Sequence, residues 1–415
     1  MRSTALMLFS IFAALLFSEL VLRLMGQSYY WAVAKAPDAS LGWRPAAGVS
    51  GWQRFEGEAL VETNQLGFRD HDHAIRKAAD TIRIAVLGDS FTEAVQVPVE
   101  QTWWRVMERT LNAGGCPGLD ARPSTVLPRF EVLNFAVSGY STAQSLLAWR
   151  NEASAFSPDL VMLEFFLGND LVENARPLDD EPLRPYLIAE GAGLALDDGY
   201  LSSPEYRART SPFGRGLHWL MVHSRILQTA VQVRHGFEIR KRSLPQGERA
   251  SRKLSNPFRG EPGVDGRVFR EPVEEAWQLA WSATERMLAL FADEVRAAGA
   301  EPLLLIAGTG AQVHPDPRVP AAFAGRLGLP DLGYPVRRLL REASDAGLPT
   351  VNLPAIMAAE AERRQVSLHG FDNGIPGLGH WNADGHRLVG AVVADALCRQ
   401  SFFTRPSSPD ELHWR

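Results

Sequence analysis

The chain has 415 residues, of which 46% are hydrophobic and 22% charged. That is an ordinary globular composition, long enough for one large domain with insertions or for two smaller ones. A net charge of −5 excludes the overall basic field that nucleic-acid binding requires. Two cysteines, Cys116 and Cys398, make no disulfide framework, though one bridge between them stays open, and no CxxC or Cys/His cluster suggests a metal site.

Residues 1–26 differ from everything after them. Arg2 precedes an apolar run over 5–17, which reads as an export signal or a signal anchor. Continued through Leu24, the run reaches about 20 residues, the length that spans a bilayer, with Glu19 and Arg23 near one end. Arg2 as the flanking charge places the N-terminus inside and the body outside the cell membrane. A buried amphipathic helix is the alternative. Residues 27–80 show no clean period and read as an irregular N-terminal segment on the main domain.

A domain over 81–400 follows. Residues 82–87 form a β-branched apolar run that ends at Gly88, the pattern of a buried strand, and 101–111 carry helical spacing. The alternation continues with a strand at 130–135, a helix at 142–156 and a strand at 159–166. Residues 171–270 interrupt it as an insertion dense in Pro, Gly and charge, with one helix predicted over 217–233. A long amphipathic helix at 271–298, a strand at 302–307, a helix at 336–346 and a strand at 349–353 come next. A helix over 382–397, with Asn382 as its N-cap, closes the domain before a tail at 401–415. Strands alternating with helices imply a parallel sheet covered on both faces.

Four segments fall at the carboxyl ends of predicted strands or beside the last helix, the edge where open parallel sheets bind ligands. Gly88-Asp89-Ser90 puts a hydroxyl on a tight turn ahead of a helix N-terminus, suited to a nucleophile beside an oxyanion site. Taken alone it is equally a capping serine. Asn134 to Gly139 ends the second strand with a glycine, which lets a backbone N–H approach a substrate or merely makes a turn. Gly168-Asn169-Asp170 ends the third strand with a side-chain amide, an oxyanion donor or an Asx-turn. His380 precedes the last helix and is the base that a Ser90 nucleophile needs.

In this order and on these strand ends, the four segments resemble the SGNH/GDSL hydrolase family, named for its serine, glycine, asparagine and histidine. The resemblance covers about residues 60–397 without the insertion, and 63–70 look like the lead-in of membrane-tethered bacterial members. It implies a flavodoxin-like three-layer α/β/α fold with a five-stranded parallel sheet. It also implies that Ser90 attacks an ester carbonyl, that His380 carries the proton, and that Ser90, Gly139 and Asn169 form the oxyanion hole. The function implied is an esterase at the cell envelope working through an acyl-serine. An O-acyltransferase of cell-surface or exported polysaccharide and a non-catalytic carbohydrate-binding module are the alternatives.

The chain departs from the family at one point. The aspartate expected two or three residues before His380 is absent, since Leu378 and Gly377 stand there. Either Ser90 and His380 form a dyad with a backbone carbonyl orienting the imidazole, or Asp372 substitutes. Trp381, next to His380, is a candidate for stacking on a sugar ring, whereas Trp103, Trp104 and Trp219 read equally as core. Eight Lys or Arg against two acids over 234–259 form either a grip for anionic glycan or headgroups or a solvated loop. No phosphate loop appears, so no cofactor is expected.

Overall fold

The computed structural model describes residues 2–114, 128–191, 193–243, 261 and 264–399. Helix α1 (Arg2–Leu24) leads into two antiparallel ribbons, β1 (Ala36–Asp38) with β2 (Gly42–Arg44), and β3 (Ser50–Gln53) with β4 (Ala59–Glu62). The alternating part begins with β5 (Thr81–Leu87), the single-turn α2 (Ser90–Glu93), α3 (Trp103–Asn112), β6 (Arg129–Asn134) and α4 (Thr142–Asn151). It continues with β7 (Leu160–Phe166) and the short α5 (Asp170–Glu173). The interruption contains a hairpin of β8 (Tyr186–Glu190) and β9 (Gly193–Asp197), then α6 (Pro204–Thr210), α7 (Pro212–His223) and α8 (Arg225–Ser243). The chain resumes with α9 (Glu275–Ala297), β10 (Glu301–Ala307), α10 (Arg318–Leu327), α11 (Tyr334–Asp345), β11 (Thr350–Asn352), α12 (Leu353–Arg364) and α13 (Ala383–Arg399).

The five predicted strands form one parallel sheet in the order β6–β5–β7–β10–β11. Each matches its apolar run to within a residue or two. The reason is burial: all seven residues of β7 are buried, as a strand flanked by neighbours and covered on both faces requires. Two helix layers cover the sheet. α3 packs on α13, which meets α12, while α9 packs on α4 and α11. Strand order reverses between β5 and β7, so their carboxyl ends open the crevice where such sheets bind ligands.

Three expectations need correction. Residues 27–80 are not irregular throughout: they contain the two ribbons, whose strands of three or four residues are too short to show a period. Their Leu41, Trp43 and Phe68 enter the main core. The helix expected over 217–233 is two helices, broken at Ser224, which has extended backbone and whose Oγ accepts from the Leu227 N–H at 3.3 Å. The helix expected over 142–156 ends at Asn151 and gives way to a 3-10 turn over Ala153–Phe156. Asn382 does cap α13, its Oδ1 accepting from the N–H groups of Asp384 and Gly385 at 3.0 Å each. Cys398 is disulfide-bonded, whereas Cys116 lies outside the described residues. So do the 401–415 tail and most of the basic stretch over 234–259.

Candidate active site

Ser90 opens α2 directly after β5. The turn is shaped by Gly88, whose φ is 152° and where a Cβ would lie 2.6 Å from the Glu164 carboxylate, so a side chain does not fit. Asp89 caps α2, its Oδ1 accepting from the Phe91 N–H at 2.8 Å. The helix is a single turn that ends at Ala94 in the left-handed region, and the helix expected over 101–111 follows it as α3.

His380 stands before α13 and reaches the same edge. Its Nε2 is 2.8 Å from Ser90 Oγ. Its Nδ1 is 2.6 Å from Glu56 Oε2, and its N–H donates to Glu56 Oε1 at 2.9 Å. A carboxylate at Nδ1 keeps the ring proton there and leaves the Nε2 lone pair facing the serine hydroxyl. Neither sequence-based option for the orienting group holds. The orienting group is no backbone carbonyl, and Asp372 is exposed with no hydrogen bond to His380.

Glu56 sits at the tip of the β3–β4 hairpin, 324 positions before His380. Gly57 turns the tip with φ 69°, where a Cβ would lie 2.1 Å from the Gln96 carbonyl. Asn373, next to Asp372, clamps that turn: its Oδ1 accepts from the Gly57 N–H and its Nδ2 donates to the Gly57 carbonyl, both at 2.8 Å. Gly379 has φ 89°, and a Cβ there would fall 2.5 Å from Glu56 Oε1. Glu261 holds the other side of this turn, accepting from the N–H groups of Gly379 at 3.1 Å and Gly310 at 2.9 Å. The sequence held no spacing rule for Glu56. Its one signal was an acid beside a glycine in the lead-in.

Burial alone would lower the His380 pKa. The Glu56 charge and hydrogen bond, with the charges of Asp89 and Glu261, outweigh it and hold the imidazole above its ordinary value. Burial opposes ionisation of Glu56 as well, but His380 wins and keeps that carboxyl below its ordinary value. Around Asp89 the balance reverses. Glu164 and Asp170 are both pushed well up, first by burial and then by the Asp89 charge, so protons are retained behind the nucleophile turn.

Gly139 lies after β6 with φ 77°, a conformation that favours glycine. Among the described residues neither its N–H nor that of Ser90 has a hydrogen-bond partner. The turn is gripped on both sides. Glu93 accepts from the Ser138 N–H at 2.7 Å, and Arg184 Nη1 donates to the Gly139 carbonyl at 2.7 Å. Arg184 belongs to the insertion, is almost fully buried, and was not found by sequence reasoning because nothing local marks it. Asn169 precedes α5 at the end of β7, its buried Oδ1 without a hydrogen-bond partner among the described residues. Ser90, His380, Gly139 and Asn169 therefore all lie on loops at the sheet's carboxyl edge. Trp381 does not offer a platform: it is fully buried, edge-on to Phe91, beneath the histidine. Trp103 and Trp104 are buried too, while Trp219 is exposed.

Asp70, His71 and His73 bring three possible metal-ligand atoms within 4.8 Å of one another. The positive charge there is already supplied by Arg105, whose Nη2 bonds Asp70 and lies 2.5 Å from His71 Nδ1. The donor set therefore fits a guanidinium better than a metal.

No family model matches the chain, and no curated protein sequence does. Among solved structures, an acetyl xylan esterase is similar at 12% identity, with 76% of this chain and 100% of that one covered and a TM-score of 0.36. A lipase/acylhydrolase from Enterococcus faecalis matches at 12% identity, covering 77% and 97%, with a TM-score of 0.35. A lipase from a goat rumen metagenome matches at 14% identity, covering 76% and 97%, with a TM-score of 0.37.

Proposed function

We propose that the chain is a serine-dependent ester hydrolase, tethered to the cell membrane by α1 with its body on the extracytoplasmic side. The observation that carries this reading is the hydrogen-bonded line from Ser90 Oγ through His380 to Glu56, at 2.8 and 2.6 Å. The aspartate missing before His380 has its counterpart in Glu56, which removes the main support for a non-catalytic module.

In this reading Ser90 Oγ attacks the ester carbonyl while His380 Nε2 takes its proton. The unpartnered N–H groups of Ser90 and Gly139, joined by the side-chain amide of Asn169, hold the oxyanion. His380 returns the proton to the leaving alkoxide, giving an alcohol and acyl-Ser90. Water, deprotonated by His380, then releases the acid and restores Ser90. Substrates are acylated small molecules or polysaccharides. α1 supports the membrane placement: it has 23 residues, and none is buried.

The test is hydrolysis of a short p-nitrophenyl ester by the full chain in detergent, beside Ser90→Ala. Turnover that vanishes in the variant is expected, together with labelling of Ser90 by a serine-reactive phosphonate. Equal rates in both proteins would sink the hydrolase reading. Acyl groups appearing on an added oligosaccharide faster than free acid would move the acceptor from water to a glycan.

A further inference from the structure

Helix α7 presents a face that no described part of the chain covers. Phe213, Leu217 and Leu220 recur at spacings of four and three, one stripe of a helix. Phe213 is 82% exposed and Leu217 and Leu220 are each 47% exposed. Trp219 is 58% exposed and stacks on His223 at 4.5 Å, roughly a third of a turn around the helix from the stripe. The opposite side faces inward, where Val222 packs on the cluster around Tyr30 and Val61.

The place of this stripe says what covers it. α7 ends where α1 arrives: the His223 carbonyl accepts from the Arg23 guanidinium. Glu19 of α1 caps α8, accepting from the N–H groups of Arg225 at 2.9 Å and Ile226 at 3.1 Å, and from Ser224 Oγ at 3.2 Å. Residues 2–18 of α1 are exposed throughout and carry the apolar run. The 23 residues of α1 reach roughly 34 Å at the usual helical rise, enough for a hydrocarbon core of about 30 Å. Once α1 crosses a bilayer, the α7–α8 corner tied to its end sits at that bilayer's surface.

We propose that α7 is an interfacial helix, whose Phe213, Leu217 and Leu220 enter the headgroup–acyl boundary of the bilayer that α1 crosses, with Trp219 beside them. The inference rests on the membrane placement of α1 given above and adds a second attachment to it. An apolar stripe of this kind lies in the interface plane, and a tryptophan suits headgroup depth because its ring is amphipathic. Two attachments fix the pose of the body, where a single span would leave it free to swivel.

The experiment reconstitutes the full chain in vesicles of phosphatidylcholine and phosphatidylglycerol doped with a diazirine phospholipid. After photolysis, lipid adducts are mapped by peptide mass spectrometry. Adducts are expected within 2–24 and within 212–223. Those on α7 should fall about tenfold in the Phe213→Glu, Leu217→Glu, Leu220→Glu variant, because charge is disfavoured at the acyl boundary. Those on 2–24 should persist, and turnover of a soluble ester in detergent should equal that of the parent, showing that the variant folds. Adducts on 2–24 with none on 212–223 would overturn the interfacial helix and leave the anchor standing. Adducts on α7 that survive the triple substitution would overturn the role of the stripe. Adducts on neither segment would overturn the membrane placement itself.

Discussion

At the scale of single residues, the serine and the histidine were legible and their orienting partner was not. Ser90 and His380 sit where strand ends and helix starts can be read from local pattern. Glu56 reaches His380 by tertiary packing of a hairpin, and no local pattern carries that information. Its role can be tested by charge. Glu56→Gln keeps the shape of the side chain and lets the wrong imidazole tautomer compete, which in a comparable site costs on the order of 10⁴-fold in kcat. Because Glu56 holds the His380 pKa up, the acidic limb of the kcat/KM profile should lie above that of an ordinary imidazole. In Glu56→Gln that limb should move to lower pH while the plateau falls. Asp372→Asn should change neither. A profile that keeps its limb in Glu56→Gln would remove Glu56 from the relay.

At the scale of elements, the sheet was legible because each strand is an unbroken apolar run, and the site's edge followed from the alternation. The grips on the site's turns were not legible, since they come from buried polar side chains of distant elements. Arg184, carried in from the insertion, holds the Gly139 carbonyl and is itself held by Asp179, with Glu173 at 3.2 Å. Arg184→Met should lower kcat roughly 10- to 100-fold with KM little changed, since an oxyanion donor would be misplaced rather than removed. A change confined to KM would assign Arg184 to substrate binding.

A second buried grip joins the lead-in to the sheet. Asp70 bonds Arg105 of α3, the Asn134 N–H of β6 at 2.9 Å and His73 at 3.1 Å. Hydrogen bonds from His71 and His73 and the Arg105 charge hold the Asp70 carboxyl far below its ordinary range against the cost of burial. A depressed carboxylate stabilises the fold above its unfolded pKa, about 4, and that stability drains as pH falls toward the folded value. Asp70→Asn should therefore cost about 3 kcal/mol in urea unfolding at pH 7, where a buried Arg105 loses one of its two carboxylate partners and keeps Glu108 alone. The gap to the parent should narrow below pH 4. A gap independent of pH would mean that the loss is one of packing and not of charge.

At the scale of the whole molecule, the proposed function divides the chain before β5 into a part for location and a part for chemistry. α1 has no buried residue, so removing it takes nothing from the core. Residues 27–80 supply Leu41, Trp43 and Phe68 to the main core, pack Tyr30, Val33 and Val61 into a second cluster, and carry Glu56 on the β3–β4 hairpin. Composition set residues 1–26 apart as an apolar run, but gave no sign of the ribbons, whose strands are too short for a period. A chain beginning at Gln27 should unfold within a few degrees of the full chain and hydrolyse a soluble ester at its rate, since it loses only contacts worth little at exposed sites. A chain beginning at Asp80 should fail on both counts: truncating buried aromatic and aliphatic side chains costs about 3–5 kcal/mol each, and the relay ends at a histidine with no carboxylate. Circular dichroism melting and p-nitrophenyl acetate turnover on the two chains read the outcomes separately. Full turnover by the shorter chain would mean that the catalytic machinery is complete without the ribbons and that Glu56 is a bystander.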